Sequence, residues 1–171
     1  LARLLRRPGD RHLDIQRHLL AVERLVQEGR TQVAAPEPTG GLESQYGLGP
    51  AGLKGNDDTG QMSAWYVFSA IGLYPVSPGS PHYEIGSPLF EEARVDVGGG
   101  RTFTLRAPGA SVSNLYVQSA TLDGRPHDRP WIAHADVARG ATLELRMGPR
   151  PNRAWGARPE DAPPSLSTTT R

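Results

Sequence analysis

Gly52-Leu53-Lys54-Gly55-Asn56-Asp57-Asp58-Thr59-Gly60-Gln61-Met62-Ser63-Ala64-Trp65-Tyr66-Val67-Phe68-Ser69-Ala70-Ile71-Gly72-Leu73-Tyr74-Pro75-Val76 is the stretch on which the reading of this chain turns. Met62, Trp65, Tyr66, Phe68 and Ile71 recur at helical steps, which predicts a helix from about Thr59 to Gly72 with a bulky apolar side. Large aromatics at that spacing are expected to pack against neighbours. Pro75 and Pro78 forbid continuation, because proline lacks the N–H and disfavours a helical residue before it. At the other end, Asp58-x-x-Gln61 has the form of a capping box, in which the carboxylate accepts free N–H groups and Gln61 reaches back.

Downstream, the period changes from helical to two. Thr102-Phe103-Thr104-Leu105 and Thr142-Leu143-Glu144-Leu145 alternate cleanly between polar and apolar. Strands are expected at Tyr83–Ile85, Arg94–Val97, Thr102–Arg106, Leu115–Ser119, Trp131–His134 and Thr142–Met147. Gly98-Gly99-Gly100 and Asp123-Gly124 are turn signals of hairpin grade. Short strands at this spacing suggest an antiparallel sandwich, with Phe103, Leu105, Tyr116, Val117, Trp131, Leu143 and Leu145 in its core. The Pro/Ser/Thr-rich tail from about Gly156 is expected to be ill-ordered. The fold class is therefore α+β, divided into a helical segment at 1–76, a β domain at 77–156 and a tail at 157–171.

Upstream, Asp10 can cap a helix over 10–28 that Gly29 ends, and 29–55 reads as a long Gly/Pro-rich loop. The 171 residues carry 19 Lys+Arg against 18 Asp+Glu, a balance that argues against a nucleic-acid binder. Arg3, Arg6, Arg7, Arg11 and Arg17 cluster near the start, but acidic residues interleave and follow, so a solvated helix face is expected. No apolar run approaches the ~18 residues of a membrane span. Nor is there a leader-like stretch with a small-residue cleavage site, and a start without Met suggests a piece of something longer. The absence of Cys removes disulfides, thiolate nucleophiles and Cys-zinc sites together.

Few places are left for chemistry. His12 and His18 are six apart and do not share a helical face, so no zinc site is expected there. His134 and Asp136 could form a base and its orienter, but a turn or short-helix cap is the preferred reading. Two readings of Asp57-Asp58 stand side by side. One is the cap alone. The other uses the same geometry, because the positive end of the helix dipole keeps a carboxylate ionised, ready to activate water or to hold a hard cation. Adjacent in sequence, the two do not by themselves form an acid/base pair.

The block from Gly52 to Val76 resembles the signature of the calcium-dependent exo-α-mannosidases of glycoside hydrolase family 92. The resemblance continues through Tyr83-Glu84-Ile85-Gly86-Ser87-Pro88-Leu89-Phe90, Asn114-Leu115-Tyr116-Val117-Gln118-Ser119-Ala120 and Gly148-Pro149-Arg150-Pro151-Asn152-Arg153-Ala154-Trp155-Gly156, so it covers about 50–166. It implies an inverting hydrolase of terminal α-mannose on glycans, with calcium as cofactor and a secreted or periplasmic location. It also implies a helical part that is the remnant of an α/α-barrel. The rest of that barrel and an N-terminal β-sandwich would be supplied from upstream. Asp58 matches the general base and Asp57 an acidic neighbour, both catalytic, while Asn56 and Gln61 fall where substrate would bind. Calcium ligands are not carried over. Residues 1–47 do not match the barrel sequence expected there, and Lys54 stands where proline is frequent. Two functions follow: the base-bearing C-terminal part of a mannosidase, inactive alone, or a non-catalytic β remnant serving structure or weak carbohydrate binding.

Overall fold

The computed structural model describes residues 3–4, 53, 56–76, 79–111 and 113–164. The helix expected over 10–28 and, Leu53 and Asn56 apart, the segment leading up to the Asp57 turn lie outside the described residues.

The central helix, α1 (Gln61–Ile71), ends at Gly72, whose φ of 92° is the left-handed conformation that closes a helix. Gly72 N–H bonds back to the Phe68 and Ser69 carbonyls. Ala70 and Ile71 are buried, whereas Met62, Trp65, Tyr66 and Phe68 are half-buried. That is less burial than the periodicity suggested, because the helix enters the core by its C-terminal end.

Among the described residues nine strands follow one another as β1 (Arg3–Leu4), β2 (Leu73–Tyr74), β3 (His82–Ile85), β4 (Glu92–Gly98), β5 (Arg101–Arg106), β6 (Tyr116–Leu122), β7 (Arg125–Pro126), β8 (Trp131–Ala133) and β9 (Thr142–Gly148). A short helix, α2 (His134–Ala138), separates the last two. One sheet has the order β1-β4-β5-β9-β6-β7 and the other β2-β3-β8. All six expected strands are present within two or three residues of their expected ends. The two turn signals also hold, since Gly98, Gly99 and Gly100 have positive φ between the antiparallel β4 and β5, and Asp123 and Gly124 adopt φ of 49° and 75° between β6 and β7.

Three corrections come with the topology. The larger sheet is mixed and not purely antiparallel: β9 runs parallel to β5 in the register Leu105↔Leu143 and antiparallel to β6 in the register Ala120↔Leu145. After β5 the chain makes the β6–β7 hairpin, crosses through β8 and α2, and returns into the slot between β5 and β6. Alternation fixes which face a strand buries and not which strand lies beside it. Second, Arg3 belongs to an edge strand paired with Arg94, where a solvated helix face was expected. Third, residues 157–164 of the expected ill-ordered tail at 157–171 are held in place, and 165–171 lie outside the described residues. A 3₁₀ turn at Pro159–Asp161 lets the Asp161 carbonyl accept the Trp131 indole N–H at 2.9 Å, while Arg158 grips both Asp161 carboxylate oxygens.

The main apolar core among the described residues joins α1 to both sheets. Ile71, Leu73 and Ile85 meet Phe103, Leu105, Ile132, Leu143 and Leu145, the last five at most 1% exposed. Trp131 is buried and Val117 packs against this core, while Tyr116 forms a separate buried pair with Leu115.

Candidate functional site

At the head of α1 the backbone turns twice through the left-handed region. Asp58–Gly60 form a 3₁₀ turn closed by Gly60 N–H to the Asp57 carbonyl at 3.0 Å. Within it Thr59 has φ of 56° and Gly60 79°. For glycine that is free of strain, but for a β-branched residue it is an outlier. The Thr59 hydroxyl donates to the Asp58 carbonyl at 2.7 Å, a local bond that partly compensates.

The turn separates the two aspartates. Asp57 folds back under the helix: its Oδ1 accepts Met62 N–H at 2.7 Å and Ser63 N–H at 3.3 Å, and its Oδ2 accepts the Ser63 hydroxyl at 2.6 Å. The Ser63 hydroxyl and these N–H groups hold the Asp57 carboxyl below the usual carboxylate range, against a smaller opposing effect of burial. Asp58 is exposed, and its carboxylate has no protein partner among the described residues. The capping box expected from Asp58 and Gln61 is therefore not made. Asp57 satisfies the free N–H groups, because Thr59 turns Asp58 outward and shifts the helix start to Gln61. Gln61 and Asn56 are exposed beside Asp58 on the same turn.

An ionised carboxylate with open lone pairs can take a proton from water. A calcium ion needs six to eight oxygen ligands. Among the described residues no three His, Asp or Glu side chains come together to hold a metal ion, and the Asp57 oxygens are already committed. The segment does not by itself fit the cation.

The other candidates resolve into structure. His134 Nδ1 lies 2.9 Å from the Tyr83 hydroxyl, and Asp136 pairs with Arg139, so the two do not form a base and its orienter. Glu92 is paired with Arg94 and Arg106, and Glu91 accepts Gly109 N–H. Phe68 stacks on Tyr83 at 6.0 Å between ring centroids, which ties α1 to β3. Ser63 was missed by sequence reasoning. Its only sequence signal is its place in the first helical turn, six residues after Asp57.

The glycosyl hydrolase family 92 catalytic domain matches residues 29–149. The chain belongs to glycoside hydrolase family 92. The match corrects the expectation for the N-terminal zone, because residues 29–47 are family sequence. An uncharacterized secreted glycosidase of Arthroderma benhamiae is 36% identical over 141 residues, which cover 81% of this chain and 18% of that protein. A family 92 α-mannosidase of Bacteroides thetaiotaomicron, solved in complex with mannoimidazole, is 34% identical with a TM-score of 0.69, covering 91% of this chain and 20% of its own. A family 92 inverting mannosidase of the same organism is 32% identical with a TM-score of 0.65, covering 87% of this chain and 18% of its own. This chain thus spans about a fifth of the length of these family 92 relatives. No helix among the described residues is long and apolar enough to cross a membrane.

Proposed function

We propose that this chain is the C-terminal part of an inverting, calcium-dependent exo-α-mannosidase acting on terminal α-mannose of glycans, with Asp58 as general base. The observation that carries the reading is the division of labour at the head of α1. Asp57 is consumed by the helix and Ser63, while Asp58 stands exposed with its oxygens open among the described residues. Inversion requires a base that takes a proton from water as that water attacks the anomeric carbon from the face opposite the leaving group. A carboxylic acid protonates the departing glycosidic oxygen. Asp58 suits the first role, and the exposure of Asn56 and Gln61 on either side of it supports a role for them in hydrogen-bonding sugar hydroxyls. The engagement of Glu91 and Glu92 in other contacts supports an acid supplied from elsewhere in the enzyme.

In this reading α1 is the last helix of a barrel completed by upstream sequence, and the enzyme is secreted or periplasmic. Calcium, which the described residues do not hold by themselves, would be bound by ligands supplied from elsewhere in the enzyme. The isolated chain is then inactive, because it has half of the acid/base pair. Incubated with an aryl α-mannoside, with or without calcium, it should release no mannose. A complete family 92 enzyme carrying this segment should release β-mannose first, as read by proton NMR. Mannose release by the isolated chain, or an α-anomer as first product of the complete enzyme, would contradict the proposal.

A further inference from the structure

We infer that Ser63 is a positioning residue for Asp58, acting through Asp57. The inference rests on the reading of Asp58 as the base. Because the Asp58 carboxylate touches no protein group among the described residues, its direction is set by the backbone of the turn that carries it. That turn holds Thr59 in a conformation a β-branched residue rarely adopts. Such a conformation persists only when its surroundings over-determine it.

The surroundings here are four hydrogen bonds, all converging on Asp57. Three are donated by backbone N–H groups, from Gly60 to the Asp57 carbonyl and from Met62 and Ser63 to Oδ1. The fourth, from the Ser63 hydroxyl to Oδ2 at 2.6 Å, is the shortest and the only one donated by a side chain. It bonds a charged acceptor, the kind of hydrogen bond that is roughly twice as strong as a neutral one. Without it, Oδ2 is unpaired and the carboxylate can swing about its remaining contacts. The residue before the base then loses its fixed orientation, and the left-handed Thr59 loses a support. A base must approach the attacking water within hydrogen-bond reach, and a displacement of ~1 Å can cost about 10²-fold in rate.

The test uses a complete family 92 enzyme carrying this segment, with Ser63→Ala, Ser63→Thr and Asp58→Asn compared by kcat, KM and thermal melting. Ser63→Ala should lower kcat by about 10- to 100-fold while KM stays within about twofold, because the base acts on water in the transition state and not on bound substrate. Ser63→Thr restores the hydroxyl at an exposed helical position and should keep kcat within about threefold of the parent, the size of an error well below 1 Å. Unchanged kcat in Ser63→Ala would overturn the inference, as would a parallel rise in KM or a failure of threonine to rescue. If Ser63→Ala melts too early to assay, Ser63→Thr decides: a kcat at parent level supports the inference, and a collapse with normal melting refutes it. Near-normal turnover in Asp58→Asn would instead refute the assignment of the base, an outcome distinct from any of these.

Discussion

Replacing Gly72 by alanine should destabilise the chain more than any other single methyl group added at the ends of α1. Two costs combine there. Gly72 has φ of 92°, where a Cβ crowds the following carbonyl oxygen at roughly 1–2 kcal/mol. The added Cβ would also lie 2.9 Å from Pro88 Cβ and 3.0 Å from Pro88 Cα and N, backbone atoms that cannot rotate away. Overpacking of that kind costs about 1–3 kcal/mol. Movement is opposed on both sides, since the Gly72 carbonyl accepts Gly86 N–H at 2.8 Å and the Ala70 carbonyl accepts Leu89 N–H at 3.0 Å. The total is roughly 2–5 kcal/mol, a large part of a typical stability of about 5–15 kcal/mol. For a chain of this size each kcal/mol shifts the melting temperature by about 2–4 °C, so a drop of roughly 4–20 °C is expected. Gly60→Ala is the control, because its φ of 79° carries the conformational cost but no described residue lies within 4 Å of the new methyl. Urea midpoints of the two variants at neutral pH separate the terms. Equal losses in both variants would refute the idea that the helix end is clamped against Pro88.

The remaining predictions concern the core, the cap, the tail and the base. Leu143→Ala removes a side chain with no exposed surface and should cost about 2–5 kcal/mol in urea denaturation; a loss under 1 kcal/mol would mean that β9 is not central. Because the folded Asp57 carboxyl is held below its usual range, its contribution is complete above the ordinary carboxylate pKa and fades as pH falls through the lowered value. Asp57→Ala should therefore destabilise at neutral pH, with the gap to the parent closing in strong acid; a gap independent of pH would refute the assigned cause. Trp131→Phe deletes the indole donor to the Asp161 carbonyl, so proteolysis after residue 156 should accelerate while the β core melts nearly as before. In a complete enzyme, Asp58→Asn should leave the helix cap intact, because Asp57 makes it.

The β half was legible because its signals are local. Alternation in Thr102–Leu105 and Thr142–Leu145 marks buried faces, and Asp123-Gly124 can take the positive φ that a two-residue turn demands. The insertion of β9 beside β5 was not legible, since pairing partners leave no mark in a single strand's pattern. Nor was the anchoring of the tail: proline, arginine and serine read as solvated, and it takes the buried Trp131 N–H and the Arg158 guanidinium to explain why Asp161 is recruited. At the site, the motif showed that a carboxylate stands at a helix head. Which carboxylate caps and which remains open depends on Thr59 adopting a left-handed conformation that its side chain disfavours, so propensity pointed to the wrong member of the pair.

The most direct test of the account is the kcat of Asp58→Asn in a complete family 92 enzyme carrying this segment, on an activated aryl α-mannoside at saturating substrate. Asparagine keeps the size and one acceptor oxygen but cannot take the proton from water, so the account expects a loss of about 10²- to 10⁴-fold with an unchanged melting temperature. Turnover within a few-fold of the parent enzyme would contradict it.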